Sequence, residues 1–172
     1  MRSLGTLGAL ALASALVCAT AIAPAVGAES THALPPPCAA QSLGYDAVAL
    51  PPIASSVVLV TVTNGAATCT VDRFPTVTFG DLDGTARPVP EVGSGARVIG
   101  AGKRLYAALR TDDRSGLARY VPTLTVAANP AHSGAVFTAS EIGAPTPGIA
   151  VDDPITTLWQ KSVDDAVAAL PS

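Results

Sequence analysis

Three cysteines, two histidines and one acidic Asp-Leu-Asp-Gly stretch are the residues of this 172-residue chain whose types and spacing bear most directly on chemistry. A thiolate at Cys69 with His32 or His132 as its base would make a nucleophile, provided that the thiol stays reduced. The histidines stand far apart, with no H-E-x-x-H or similar spacing. A structural zinc or copper site needs at least three ligands close together, so exposed loop histidines are the expectation. Asp81-Leu82-Asp83-Gly84 has the opening letters of a calcium loop. The sixth and twelfth positions counted from Asp81, which should be glycine and a bidentate acid, are Ala86 and Val92. Asp-Gly is also ordinary hairpin-turn chemistry, and that reading explains the same residues. No G-x-S-x-G elbow is present, since Gly93-Ser94-Gly95 sits in a glycine loop, and no glycine-rich phosphate loop appears. The sequence therefore predicts no catalytic residue, no metal ligand and no cofactor site.

The fate of the cysteines depends on the compartment, and the N-terminus speaks to that. Arg2 supplies a positive start, and residues 4–23 form an uncharged apolar run. That run is about the 20 residues needed to cross a bilayer. Pro24 breaks it, and Val26-Gly27-Ala28 offers the small residues of a cleavage site, which predicts a Sec-type signal peptide over 1–28, cut after Ala28. Cys18 would leave with the signal; bulky Val17 before it argues against a lipid-modified cysteine. Cleavage leaves about 144 residues, the size of one domain. Loss of Arg2 makes the mature chain one unit more acidic than the formal −3 of the whole. Such a balance predicts neither nucleic acid nor anionic lipid as a partner, and no membrane span after cleavage. Cys38 and Cys69 remain as an even pair in an exported chain, where a disulfide is the expected state. Closing the loop between them should stabilise the fold by about 3 to 4 kcal/mol in the chain-entropy account.

The elements that must position these residues read as short strands. Residues 29–37, with Pro35-Pro36-Pro37, form a stiff Pro-rich lead-in. From Ser56 to Thr63, Val58, Val60 and Val62 fall on one face and Val57, Leu59, Thr61 and Thr63 on the other, and the β-branched density opposes helix. Asn64-Gly65 reads as a tight turn, followed by a short strand carrying Cys69. Val77 and Phe79 alternate with threonines after Pro75, which suits a strand start or an edge. Residues 89–99 are weakly patterned. Leu105, Ala107 and Leu109 alternate with wetter neighbours, residues 123–126 alternate again, and 135–139 and 149–151 read as further strands. Spacings near ten residues with Gly, Pro and Asn-Gly punctuation predict an all-β antiparallel sandwich or barrel over 38–172. Near the end, Asp153 as cap, Pro154 in the first turn, and Leu158, Val163, Ala166, Val167 and Leu170 at helical spacing predict one short C-terminal helix. Its apolar stripe covers either the sandwich's own edge or a partner surface, with Trp159 as the expected partner contact.

Residues 63–84 carry the pattern T-N-G-x-x-x-C-T-V-x-x-F-P-x-V-x-F-x-D-x-D-G. This run resembles an exported actinobacterial family known as domain of unknown function forty-two thirty-two. Pro37-Cys38 matches the family's leading Pro-Cys element, and Val98-Ile99-Gly100-Ala101-Gly102 followed by residues 105–109 is similar to its later turn and strand, with Ala101 where a proline usually stands. Arg73 occupies a position that often holds glycine, and the second cysteine pair of many members is absent here. The resemblance spans about Cys38 to Val151. It implies a secreted immunoglobulin-like β-sandwich with Cys38 bonded to Cys69, and it carries over no catalytic residue.

These readings converge on a secreted, non-catalytic interaction module that contacts an envelope protein or a small ligand. A secreted hydrolase with a site assembled from scattered loop residues, among them His132, is the alternative from another class. An inhibitor presenting an extended loop over residues 110–119 is the third.

Overall fold

The computed structural model describes residues 33–50, 56–112 and 116–171. The predicted signal peptide with its expected cleavage after Ala28, Cys18 and His32 lie outside those residues. In chain order, a single 3₁₀ turn at Ala40–Ser42 leads into β1 (Leu43–Ala49), β2 (Val57–Asn64), β3 (Cys69–Asp72), β4 (Thr76–Phe79), β5 (Arg87–Val89) and β6 (Ala96–Ile99). There follow β7 (Arg104–Arg110), β8 (Arg119–Val121), β9 (Thr123–Ala127), β10 (Ala135–Thr138), β11 (Ile149–Val151), β12 (Ile155–Thr157) and the helix α1 (Val163–Ala168). The chain is thus almost entirely β with one short C-terminal helix, and no closed barrel forms among the described residues.

The valine-rich run builds the centre of the largest sheet, whose strand order is β1-β2-β7-β12-β5. Register sets Val58 opposite Leu109, Val60 opposite Ala107 and Val62 opposite Leu105. Larger and smaller side chains thereby alternate along the seam, which fills space without voids. All six are buried, and each buried Val or Leu side chain stabilises the fold by about 1.5 to 3 kcal/mol. A three-stranded sheet, β10-β9-β4, contributes Val77, Phe79, Leu124 and Val126 to the same core, and the ribbons β3-β6 and β11-β8 add Val71, Ile99, Val121, Ile149 and Val151. Pro75 immediately precedes β4, an edge strand, where its missing N–H costs nothing. Tyr45 of β1 reaches across to accept the Ala128 N–H at 3.1 Å, and its burial pushes the phenol above its ordinary pKa.

The two turn motifs do different work from the hairpins they suggest. β2 pairs with β1 and β7, while β3 pairs with β6, so Asn64-Gly65 starts a crossing between sheets. Asn64 is 0 % exposed; its Nδ2 donates to Ala67 O at 2.9 Å and to Ile99 O and Gly100 O at 3.3 Å, while its Oδ1 accepts the Ala66 N–H at 2.9 Å. The side chain mimics backbone, tying β2 to the turn after β6. Asp83-Gly84 likewise passes the chain from β4, paired with β9, to β5, paired with β12. Gly84 has φ +94°, the left-handed turn conformation that glycine adopts without penalty.

The C-terminal segment corrects a larger expectation. The helix does not begin at Asp153, whose φ of +42° is foreign to a cap, and Ile155-Thr156-Thr157 form β12. This β-branched triplet slots between β7 and β5, where Thr157 Oγ1 accepts the Ala108 N–H at 2.9 Å. The helix starts only at Val163, capped by Ser162, whose Oγ accepts the Asp165 N–H at 3.1 Å. Ala166 is buried against Leu59 and Ala108, with Leu50, Tyr106, Val163 and Leu170 packed around them. The apolar stripe therefore covers the chain's own sheet, on the face away from the main core.

Candidate functional site

Cys69 is paired rather than reactive. Its sulfur lies at bonding distance from that of Cys38, with both residues buried. The lead-in makes this pairing by running parallel to β3: Cys38 N–H donates to Thr70 O at 2.8 Å and Thr70 N–H to Pro36 O at 2.9 Å. A disulfide sulfur has no thiolate to attack with, so the Cys–His reading is overturned.

His132 ends a turn in which its N–H donates to Asn129 O at 3.0 Å, and Asn129 Oδ1 accepts the Ala131 N–H. Its imidazole Nδ1 is buried without a hydrogen-bond partner among the described residues, so no serine or aspartate bonds to that nitrogen there. Nor does any group of three His, Cys, Asp or Glu side chains converge there as a metal site. Asp83 and Gly84 line a shallow groove of about 340 Å³ with Phe79, Arg119 and Pro154. The Gly93-Ser94-Gly95 loop is held to β3 by Asp72, whose Oδ1 accepts both the Arg73 N–H at 2.6 Å and the Gly95 N–H at 3.0 Å.

Trp159 sits where sequence reasoning did not place it. It is 1 % exposed and belongs to the main core, so its indole is not the surface contact expected of it. The reason is the shortened helix: residues 158–160 form a strap after β12, with Trp159 N–H donating to Arg73 O at 3.1 Å and Gln160 exchanging both backbone bonds with Tyr106. Trp159 Nε1 is buried with no acceptor. Above the strap opens a cleft of about 210 Å³ lined by Arg73, Ala96, Arg97, Leu158, Trp159 and Gln160. Arg97 stands opposite Val71 in the β3-β6 ribbon, which brings it beside Arg73, the residue after β3. The salt bridges of the described residues lie elsewhere, from Arg87 to Glu91 at 3.8 Å and to Asp153 at 3.1 Å. Arg73 and Arg97 thus line one cleft with no ion-pairing carboxylate among the described residues. Sequence reasoning treated Arg73 only as a departure from a family pattern and passed over Arg97, because nothing local shows that a strand pairing will join them.

The chain belongs to the family described as Domain of unknown function (DUF4232), whose profile matches residues 38–160. The match opens on the disulfide and closes on the strap, taking in both arginines and Trp159 and leaving α1 outside. No curated protein and no solved structure matches the chain.

Proposed function

We propose that this member of the family is an exported, non-catalytic interaction module, acting outside the reducing cytosol on an envelope protein. A buried disulfide supports the compartment, because such a bond persists where thiol reductants are absent. The apolar signal-like start, with cleavage after Ala28, supports the same reading. None of the helices among the described residues is long and apolar enough to cross a membrane.

One observation carries the interaction itself. Tyr120, the middle residue of β8, is 57 % exposed, and Leu117, two residues before the strand, is 77 % exposed. Large apolar side chains held in water on a strand and in the segment that leads into it are the kind of anchor that protein interfaces bury, tyrosine above all. The ribbon pairs Tyr120 with Ala150 of β11, which fixes the anchor's backbone.

The test is affinity capture from an envelope extract by the purified chain and by the double variant Leu117→Ser, Tyr120→Ser. Retention of a partner by the parent and its release by the variant, with tryptophan emission unchanged, is the expected result. Equal retention by both, or turnover of ester, peptide or glycoside substrates by the purified protein, would overturn the proposal. Mass mapping of exported material should find Glu29 at the N-terminus and no titratable thiol.

A further inference from the structure

The cleft over Trp159 has the chemistry of a receptor for a carboxylate. We infer that Arg73 and Arg97 bind the carboxylate of a small ligand whose apolar body rests on Leu158, over the buried Trp159. The inference stands apart from the Leu117 and Tyr120 surface and does not depend on it.

Three observations converge. Two arginines line one cleft without an ion-pairing acid among the described residues, and planar guanidinium donors match a carboxylate in paired, charge-assisted hydrogen bonds. The nearby carboxylate, Asp72, is engaged by the backbone N–H groups of Arg73 and Gly95. Arg73 is also placed: a Cβ on Gly95 would lie 3.3 Å from its Nε and 3.5 Å from its Cζ, so the guanidinium lies directly over that glycine. The floor supplies the third observation. Trp159, 1 % exposed, lies beneath the cleft beside Leu158, and its buried indole N–H has no acceptor among the described residues. Cationic walls above an apolar indole and leucine select an acid with an apolar body over a bare inorganic anion.

The chain has one tryptophan, so its emission reports on the cleft directly. Benzoate, a short peptide ending in phenylalanine with a free carboxylate, its C-terminal amide, and inorganic phosphate are titrated against the mature protein. Saturable change with benzoate and the free-acid peptide supports a general carboxylate site; change with the peptide acid alone supports a chain terminus as the ligand's source. Arg73→Gln and Arg97→Gln should each weaken binding about tenfold or more, the worth of a lost charge-assisted hydrogen bond. Gly95→Ala, which crowds the Arg73 guanidinium, should weaken it as well. Arg73 is exposed, so its variant and Gly95→Ala keep the test open even where Arg97→Gln fails to fold. No saturable change up to about 10 mM, weaker than two such bonds predict, would overturn the inference. So would equal affinity for acid and amide, for phosphate and benzoate, or for parent and Arg73→Gln.

Discussion

Replacing Asn64 should unsettle the fold far more than its place beside a glycine suggests. The side chain is 0 % exposed and makes two well-formed bonds at 2.9 Å, plus two longer ones to Ile99 O and Gly100 O. In Asn64→Ala the Ala66 N–H and the carbonyls lose partners inside the protein. At about 1 kcal/mol per net bond, and more for a buried group left unsatisfied, the loss should be about 2 to 4 kcal/mol. Asn64→Asp is nearly isosteric and keeps the acceptor for Ala66, but it turns an oxygen toward the three carbonyl oxygens to which the amide donates. At neutral pH it should be the worse variant, because it buries a charge among acceptors. Folding then favours the protonated carboxyl and raises its pKa above the unfolded value of about 3.9, so stability should recover as pH falls toward about 4. Urea unfolding followed by Trp159 emission measures both variants. An Asn64→Ala protein within about 0.5 kcal/mol of the parent would refute the reasoning, as an ordinary surface turn residue would behave that way. An Asn64→Asp protein without acid recovery would refute it equally.

Removing the disulfide with Cys38→Ser and Cys69→Ser opens a loop with a sequence separation of 31, and should lower the unfolding free energy by about 3 to 4 kcal/mol in the same urea assay. At the end of β10, Glu141 accepts the Thr138 N–H at 2.7 Å and the Thr138 hydroxyl at 2.8 Å, and these bonds hold its carboxyl below the ordinary value of 4.5. Its depressed pKa means that the contact is complete above 4.5 and is lost as pH falls through the lower folded value. Amide exchange at Thr138, corrected for intrinsic rates, should therefore show protection fading on acidification in the parent and no such acid step in Glu141→Gln.

Legibility followed from how local each signal is. Strands β2, β4, β7, β9 and β10 were readable because alternation of Val, Leu and Thr is written in consecutive residues. The cysteine pair was readable from count and compartment. β1, β5, β6, β8 and β12 were not: residues 43–49 include Gly44, Asp46 and three small or aromatic side chains, and β5 is three residues long with a proline at its centre. Partners outside the strand, rather than propensity within it, make these segments extended. Asp153-Pro154 imitates a helix start, and only the vacancy between β7 and β5 explains why Ile155 to Thr157 extends instead. The same logic hid the arginine cleft, whose two halves meet through the β3-β6 pairing.

The position of β12 has a kinetic consequence. It lies between β7 and β5, antiparallel to one and parallel to the other, so β5 joins the large sheet only through a strand that follows it by more than sixty residues in the chain. A polypeptide emerging from its N-terminus first can assemble the β1-β2-β7 half early, but must hold an open β7 edge until residues 155–157 arrive. Such long-range closure is slow, and an exposed edge awaiting its neighbour is where chains pair with one another instead. For this fold, the hazardous interval is the one before residues 155–157 close the gap between β7 and β5.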